Sequence, residues 1–486
     1  MFTVPTLIRL CYLYLFVLFF SLNTAYAQGT QCDCRVILEE VMNKVRDNYP
    51  GYTIKITAEQ KHHFQQFTDS LKKVTDTASA SACYPLLQAW IAYFNDKHLA
   101  ILFSESPENK ELIKSTFANS RRYPLTKDSL LKRWESHPPN SPEGIWNASG
   151  NNQIALIKQG DDYLGIVTNV DNVFWQPGQI KFELKESGKQ LWNGTLYNRF
   201  HVRDTFSTHL DENSLSIDIK GVKWVKTYPL PSSHSRPIPV DSFYFAKTDS
   251  NNTLLRLPSF DLRYKSLIDS LITSNMATII STPHLIVDLR GNLGGFNLCF
   301  EKLLPLIYTD TVITTGLVTK VTKENIQLYK DLLTNNQLPE KDKSDIAAFI
   351  RILQKQRGDY YHEPDEISTF PTVYPQPQKV ALLIDEGCAS ATEFLILKAK
   401  QSKKVTLFGK RSAGIVDYSN LVGPRALSCS RYILWCPTAR SARLPQYPID
   451  NIGIKPDVEI PDQINWVDFV QQYLANQVHK IVKATK

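Results

Sequence analysis

Apolar and polar positions fall into three textures along the chain. Between 34 and 94, Val36, Ile37, Val41 and Val45, then Leu86, Leu87, Trp90, Ile91 and Phe94, recur at close to helical spacing. Tyr49-Pro50-Gly51 breaks the first helix, a second is expected over 58–75, and the last should end near Asn95-Asp96. The run 98–103 then reads as a strand, which puts His98 at a helix-to-strand junction. Between 143 and 235 short apolar runs (153–158, 163–167, 179–184, 215–219) are separated by Gly, Asn and Asp, the texture of a small antiparallel barrel or sandwich. From Phe243 strand and helix alternate: strands over 254–257, 285–289, 380–384 and 405–408, helices over 262–275 and 391–400. Such alternation predicts an α/β core with parallel pairs, and the polar helical stretch 320–370 reads as an insertion covering it. With proline-bearing connectors at 137–142 and 227–239, the expected domains are a helical unit (28–135), a β unit (143–235) and an α/β unit (240–486).

The first 27 residues stand apart. Arg9 flanks the apolar run 10–22, and Ala25-Tyr26-Ala27 has the small-x-small pattern of a signal-peptidase site, so cleavage after Ala27 and a periplasmic or secreted chain are expected. No later stretch approaches the roughly 20 apolar residues of a span, so no stable membrane insertion is expected after cleavage. At 43% apolar and 21% charged residues the chain is not disordered, and its length suits several domains. The net charge of +7 is interleaved with acids rather than gathered into a stripe, which argues against a nucleic-acid partner.

Seven cysteines follow the expected cut: Cys32, Cys34, Cys83, Cys299, Cys388, Cys429 and Cys436. Their odd number leaves at least one thiol unpaired. Cys429 and Cys436 flank a strand-like run and suggest a disulfide across a hairpin or adjacent strands, while Cys32 or Cys34 could join Cys83. A Cys-x-Cys without a matching His/Cys cluster is a poor zinc site, and neither metal nor cofactor is expected.

Two segments carry the chemistry. In Ala381-Leu-Leu-Ile-Asp-Glu-Gly-Cys-Ala-Ser390-Ala-Thr-Glu393 an apolar strand runs through small residues into a helix. A serine at that turn exposes its hydroxyl beside the unpaired N–H groups of a helix start, which can hold an oxyanion. The plainer alternative is an N-cap serine with Glu393 completing a capping box. The second segment, Leu285-Ile-Val-Asp288-Leu-Arg290-Gly-Asn292-Leu-Gly294-Gly295, is a buried strand ending in a glycine-rich turn. Its spacing fits neither a dinucleotide fingerprint nor a phosphate loop.

Together these segments resemble the tail-specific, or C-terminal processing, serine peptidases, family 41 of the serine peptidases. Asp288–Gly295 is similar to that family's Asp-x-Arg-x-Asn-x-Gly-Gly signature, and Ser390-Ala-Thr-Glu393 to its Ser-Ala-x-Glu nucleophile segment. Gly409-Lys-Arg-Ser-Ala-Gly414 resembles the following Gly-x-x-Thr-x-Gly turn, and Gly453-Ile-Lys-Pro456-Asp457 the closing Gly-Val-x-Pro-Asp motif. The likeness covers 243–460, is weaker at 34–103 and does not extend to 143–235. It implies a crotonase/ClpP-like α/β core, a peptide or protein substrate and Ser390 as nucleophile. It also implies an oxyanion hole from the N–H of Ala391 and one of Gly294 or Gly295. Asp288 and Arg290 are expected to form a buried ion pair rather than touch substrate.

The position of the lysine base in the bacterial and plastid processing enzymes falls here at Ile415, so a Ser–Lys dyad is not expected. Asn95-Asp96-Lys97-His98 instead resembles the Asp-x-His segment of the histidine-dependent branch, similar to the tricorn core and retinoid-binding-protein modules. That branch implies His98 as general base and Asp450, three residues before Gly453, as the acid that orients it. Lys97 stands where the branch carries a serine. The family's processing enzymes usually carry a PDZ domain, but no Gly-Leu-Gly-Phe-like loop occurs in 104–242; Trp146, Tyr163, Phe174, Trp175, Phe182 and Trp192 are expected to fill a barrel core instead. The rival reading, favoured by Lys97 and Ile415, is a catalytically impaired relative that binds a peptide or a hydrophobic small molecule.

Overall fold

The computed structural model describes residues 32–484 apart from 79, 105, 125–126, 135–140, 149–151, 171, 189–190, 200, 202, 211–215, 220–221, 231–242 and 462–463. The expected signal peptide and most of both connectors lie outside the described residues. Among those described, no helix is long and apolar enough to cross a membrane.

The alternating segments of the C-terminal half build a six-stranded sheet in the order Tyr244–Lys247, Asn252–Arg256, His284–Asp288, Lys379–Ile384, Val405–Gly409, Val458–Glu459. Only the first pair is antiparallel. Alternate side chains serve opposite layers. Leu255, Leu285, Val287, Leu382 and Leu407 pack with the helices Lys265–Ser274 and Ala391–Ala399. Leu254, Ile286, Ala381, Leu383 and Phe408 pack with Trp466, Val470 and Leu474 of the last helix. Burial on both faces is why the strands read as unbroken apolar runs. His284–Asp288 and Lys379–Ile384 lie side by side with Asp288 opposite Leu383, so the two chemically suggestive loops leave the same edge of the sheet.

The N-terminal helices Cys34–Asn48, Lys61–Thr75 and Ala80–Ala92 share a core containing Val41, Val45, Phe64, Leu87, Trp90 and Phe94. The last ends at Ala92, earlier than the periodicity suggests, and the chain turns through Asn95 at φ 44° before the strand Ala100–Phe103. That strand pairs antiparallel with Tyr432–Trp435, and Tyr418, Leu427, Tyr432 and Leu434 complete the same core. The helical unit is therefore built jointly with a late segment of the chain. Disulfides join Cys32 to Cys429 and Cys34 to Cys83. The expected Cys429–Cys436 bond is not formed, and Cys436 is a buried thiol. The intervening strand of four residues spans ~13 Å, beyond the ~7 Å that a disulfide bridges between Cα atoms.

Between these units, eight strands from Gly144–Ala148 to Val222–Tyr228 pair antiparallel in chain order, and the first also pairs with the last. A bridge between Leu210 and Ile217 joins the two remaining edges, so the sheet closes into an up-and-down barrel rather than a sandwich. Trp146, Tyr163, Phe182, Trp192 and Trp224 fill its interior, whereas Phe174 and Trp175 join the N-terminal core instead. The helix Lys127–Trp134 covers one outer face through Leu130 and Trp134. The helices Lys323–Leu332 and Glu340–Lys355 belong to the polar insertion, which reaches the N-terminal unit where Asn48 Nδ2 donates to Glu324 at 2.6 Å.

Candidate active site

The strand Lys379–Ile384 ends in a tight loop, and Ser390 stands at the start of the helix Ala391–Ala399 with φ 55° and ψ −119°. A positive φ is strained for a non-glycine residue, and it leaves Ser390 partly exposed between buried Ala389 and Ala391. Glu393 secures the turn from below. Its fully buried carboxylate accepts the N–H of Ser390 at 3.2 Å and of Ile415 at 2.7 Å on one oxygen. The other oxygen accepts the N–H of Gly414 at 2.9 Å and the hydroxyl of Ser412 at 2.5 Å. The capping box foresees only the first of these; the rest tie the serine turn to residues 412–415.

The glycine loop abuts this turn. At its root Asp288 is held by Arg290 at 2.7 Å and Arg256 at 3.2 Å. Burial pushes the Asp288 carboxyl up, but the two guanidiniums outweigh it and hold it well below the usual carboxylate range. Asn292, fully buried, clamps the two loops together. Its side chain accepts the Gly294 N–H at 2.9 Å, and its carbonyl accepts the Ala389 N–H at 3.1 Å. Gly294, at φ 91°, lies so close that a Cβ there would meet the Ala389 oxygen at 2.5 Å and the Ala391 nitrogen at 2.8 Å. Gly295 pairs with Phe260 through bonds made by its neighbours Gly294 and Phe296, so its own N–H faces away from Phe260. Among the described residues no acceptor takes the N–H of Gly295 or of Ala391, whereas that of Gly294 is committed to Asn292.

The third part arrives from the N-terminal unit. Lys97 Nζ donates to the Ala413 carbonyl at 2.9 Å, Asn451 Nδ2 to the Asn95 carbonyl at 2.9 Å, and His98 Nδ1 meets the Tyr418 carbonyl at 2.5 Å. A carbonyl can only accept, so this contact puts the proton on Nδ1 and leaves Nε2 as the basic nitrogen. Asp450 holds the same segment, accepting the N–H groups of Val416 and Asp417, both at 2.7 Å. Burial raises its carboxyl to about 7 against those bonds, with the charges of Asp96 and Asp417 adding to the rise. Asp450 thus engages the backbone of the two residues preceding Tyr418, and the group that meets the imidazole nitrogen is the Tyr418 carbonyl.

Of the residues singled out from the sequence, Gly294 lies against Ser390 and Ala391, and Gly295 follows it in the loop, packed on Phe260. His98 and Asp450 both meet the 413–418 segment, which Glu393 ties to the serine turn. Sequence reasoning missed Asn292 as a clamp, although it is part of the glycine signature, and it missed Tyr418, whose contribution is a backbone oxygen. Among the described residues no His/Cys/Asp/Glu group is arranged to hold a metal ion.

A serine at a strand-to-helix turn, with a glycine loop packed on it, is an arrangement that can support acyl transfer. Residues 252–460 match the model of peptidase family S41, and this match supports a serine-type peptidase. No curated protein matches the chain. Among solved structures, mature CPAF complexed with lactacystin is 14% identical, with 92% of this chain and 98% of that one covered at a TM-score of 0.48. The photosystem II D1 C-terminal processing protease is 11% identical, covering 89% and 94% at 0.40. A putative peptidase from Parabacteroides merdae is 12% identical, covering 91% and 93% at 0.43.

Proposed function

We propose that the chain is an exported peptidase that cleaves peptide bonds through an acyl-enzyme on Ser390. The observation that carries this reading is Ser390 itself, in a strained conformation at a helix start and against Gly294, with no acceptor among the described residues for the N–H of Ala391 or of Gly295. In acylation, Ser390 Oγ attacks the scissile carbonyl carbon while His98 Nε2 takes its proton. The oxyanion lies on the two N–H groups, and as the C–N bond breaks the imidazolium returns the proton to the leaving amine. Water then repeats the sequence and releases the acid. Asp450 serves by holding Val416 and Asp417, and so the Tyr418 carbonyl that sets the His98 tautomer. No cofactor enters this scheme. Export is supported by the apolar run and small-residue site at 10–27 and by two disulfides, which persist in oxidising compartments.

The test is labelling of the purified chain with a serine-directed fluorophosphonate, beside Ser390→Ala and His98→Ala. Labelling lost in both variants, with folding kept by circular dichroism, supports the reading. A folded wild type that takes no label would sink it and favour the binding protein; a ligand screen against the barrel would then follow.

A further inference from the structure

The buried group nearest in sequence to His98 has no part in the scheme above. Asp96 is 6% exposed, and both of its oxygens are taken. Oδ1 accepts the backbone N–H of His98 at 2.8 Å, and Oδ2 accepts the hydroxyl of Tyr49 at 2.6 Å. Tyr49 is fully buried and locked in place by its ring contacts with Phe94 and Tyr418, at centroid separations of 5.7 and 5.3 Å. Both contacts donate to Asp96, the pattern an ionised carboxylate requires. We propose that Asp96 is a positioning residue for His98, its clamped carboxylate fixing the imidazole-bearing turn and stabilising the imidazolium formed when Ser390 gives up its proton. This rests on the reading of His98 as general base.

The surroundings bear on the charge. Burial raises the Asp96 carboxyl, while the Tyr49 hydroxyl, the charge and N–H of His98, and Lys55 act against that rise. Tyr418, Cys436 and Asp450 also feel the Asp96 charge, and Asp417, which acts on Asp450 and Tyr418, is itself paired with Arg443 at 3.1 Å. Lys97 turns aside to the Ala413 carbonyl. Asp450, the other acid of this cluster, spends an oxygen on two backbone N–H groups. Asp96 is the acid bonded to the turn that bears His98.

The rate of fluorophosphonate labelling against pH separates this role from a structural one. Loss of a nearby negative charge makes an imidazolium easier to deprotonate, so Asp96→Asn should move the acid limb to lower pH by about one unit. The rate above the limb should fall by about 10- to 100-fold, as imidazolium formation loses its support. Asn keeps an oxygen for the His98 N–H, and Tyr49→Phe, which keeps the ring, carries the test should Asp96→Asn misfold. Tyr49→Phe should move the limb the same way by less, because Asp96 then protonates more readily. A wild-type limb in both variants overturns the proposal, and so does a displaced limb seen in Asp450→Asn but in neither of them. A wild type that takes no label overturns the Ser390–His98 reading itself, an outcome distinct from labelling with an unmoved limb.

Discussion

Asp450 offers a sharp thermodynamic test of the buried acidic cluster. Its carboxyl is raised from 3.8 to about 7, chiefly by burial, with Asp96 and Asp417 adding repulsion. A group that binds its proton more tightly when folded contributes stability that is fully present below pH 3.8 and is lost as pH rises to about 7. Each tenfold gain in proton affinity on folding is worth ~1.4 kcal/mol, so the loss across that window is on the order of 4 kcal/mol, less where water reaches the carboxylate. Asp450→Asn removes the titration but keeps an oxygen for the N–H groups of Val416 and Asp417. Urea unfolding of the disulfide-intact chain at pH 4, 6 and 8 should therefore show a widening gap. The variant should match the wild type at pH 4 to within about 0.5 kcal/mol and exceed it by about 2–4 kcal/mol at pH 8. A gap that stays flat from pH 4 to 8 would mean that Asp450 titrates as it does in the unfolded chain. The desolvated cluster around His98 would then be refuted.

Two further outcomes follow from contacts elsewhere. Gly294→Ala places a methyl group 2.8 Å from the Ala391 nitrogen, so fluorophosphonate labelling should fall by at least about 100-fold; a wild-type rate would remove Ala391 from the oxyanion hole. The double variant Cys32→Ser/Cys429→Ser opens a link between residues 397 apart and should cost about 2–5 kcal/mol in urea unfolding under non-reducing conditions, whereas an unchanged midpoint would show that the link adds nothing.

The parts of the fold legible in the sequence are those whose signal is local. The strands His284–Asp288 and Lys379–Ile384 are buried on both faces and so appear as apolar runs, and glycines mark where the following loop must touch the Ser390 turn. The barrel showed in its short alternating runs, but its closure depends on the bridge between Leu210 and Ile217, which no periodicity encodes. Cysteine spacing found the Cys34–Cys83 bond but failed for Cys429 for a similar reason. Cys429 and Cys436 are close in sequence but held apart by an extended strand, while Cys32 finds Cys429 because Ala100–Phe103 pairs with Tyr432–Trp435.

The histidine arm of the site shows where such reading stops. The Asp-x-His segment and the acid before Gly453 were both visible, and resemblance favoured the second as the partner of His98. In the folded chain the imidazole nitrogen instead meets the Tyr418 carbonyl, 320 positions away, and any residue at 418 would offer the same oxygen. A backbone acceptor has no side-chain signature, so no composition or spacing could have pointed to it. Once that carbonyl has fixed the tautomer, an acid need not touch Nδ1 to be useful; it need only place negative charge near the ring. Asp96 does so through the turn's own N–H, and Asp450 is left to secure the backbone that presents the carbonyl. Two acids that look interchangeable in sequence thus take different tasks because one is bonded to the His98 turn and the other to the segment facing it.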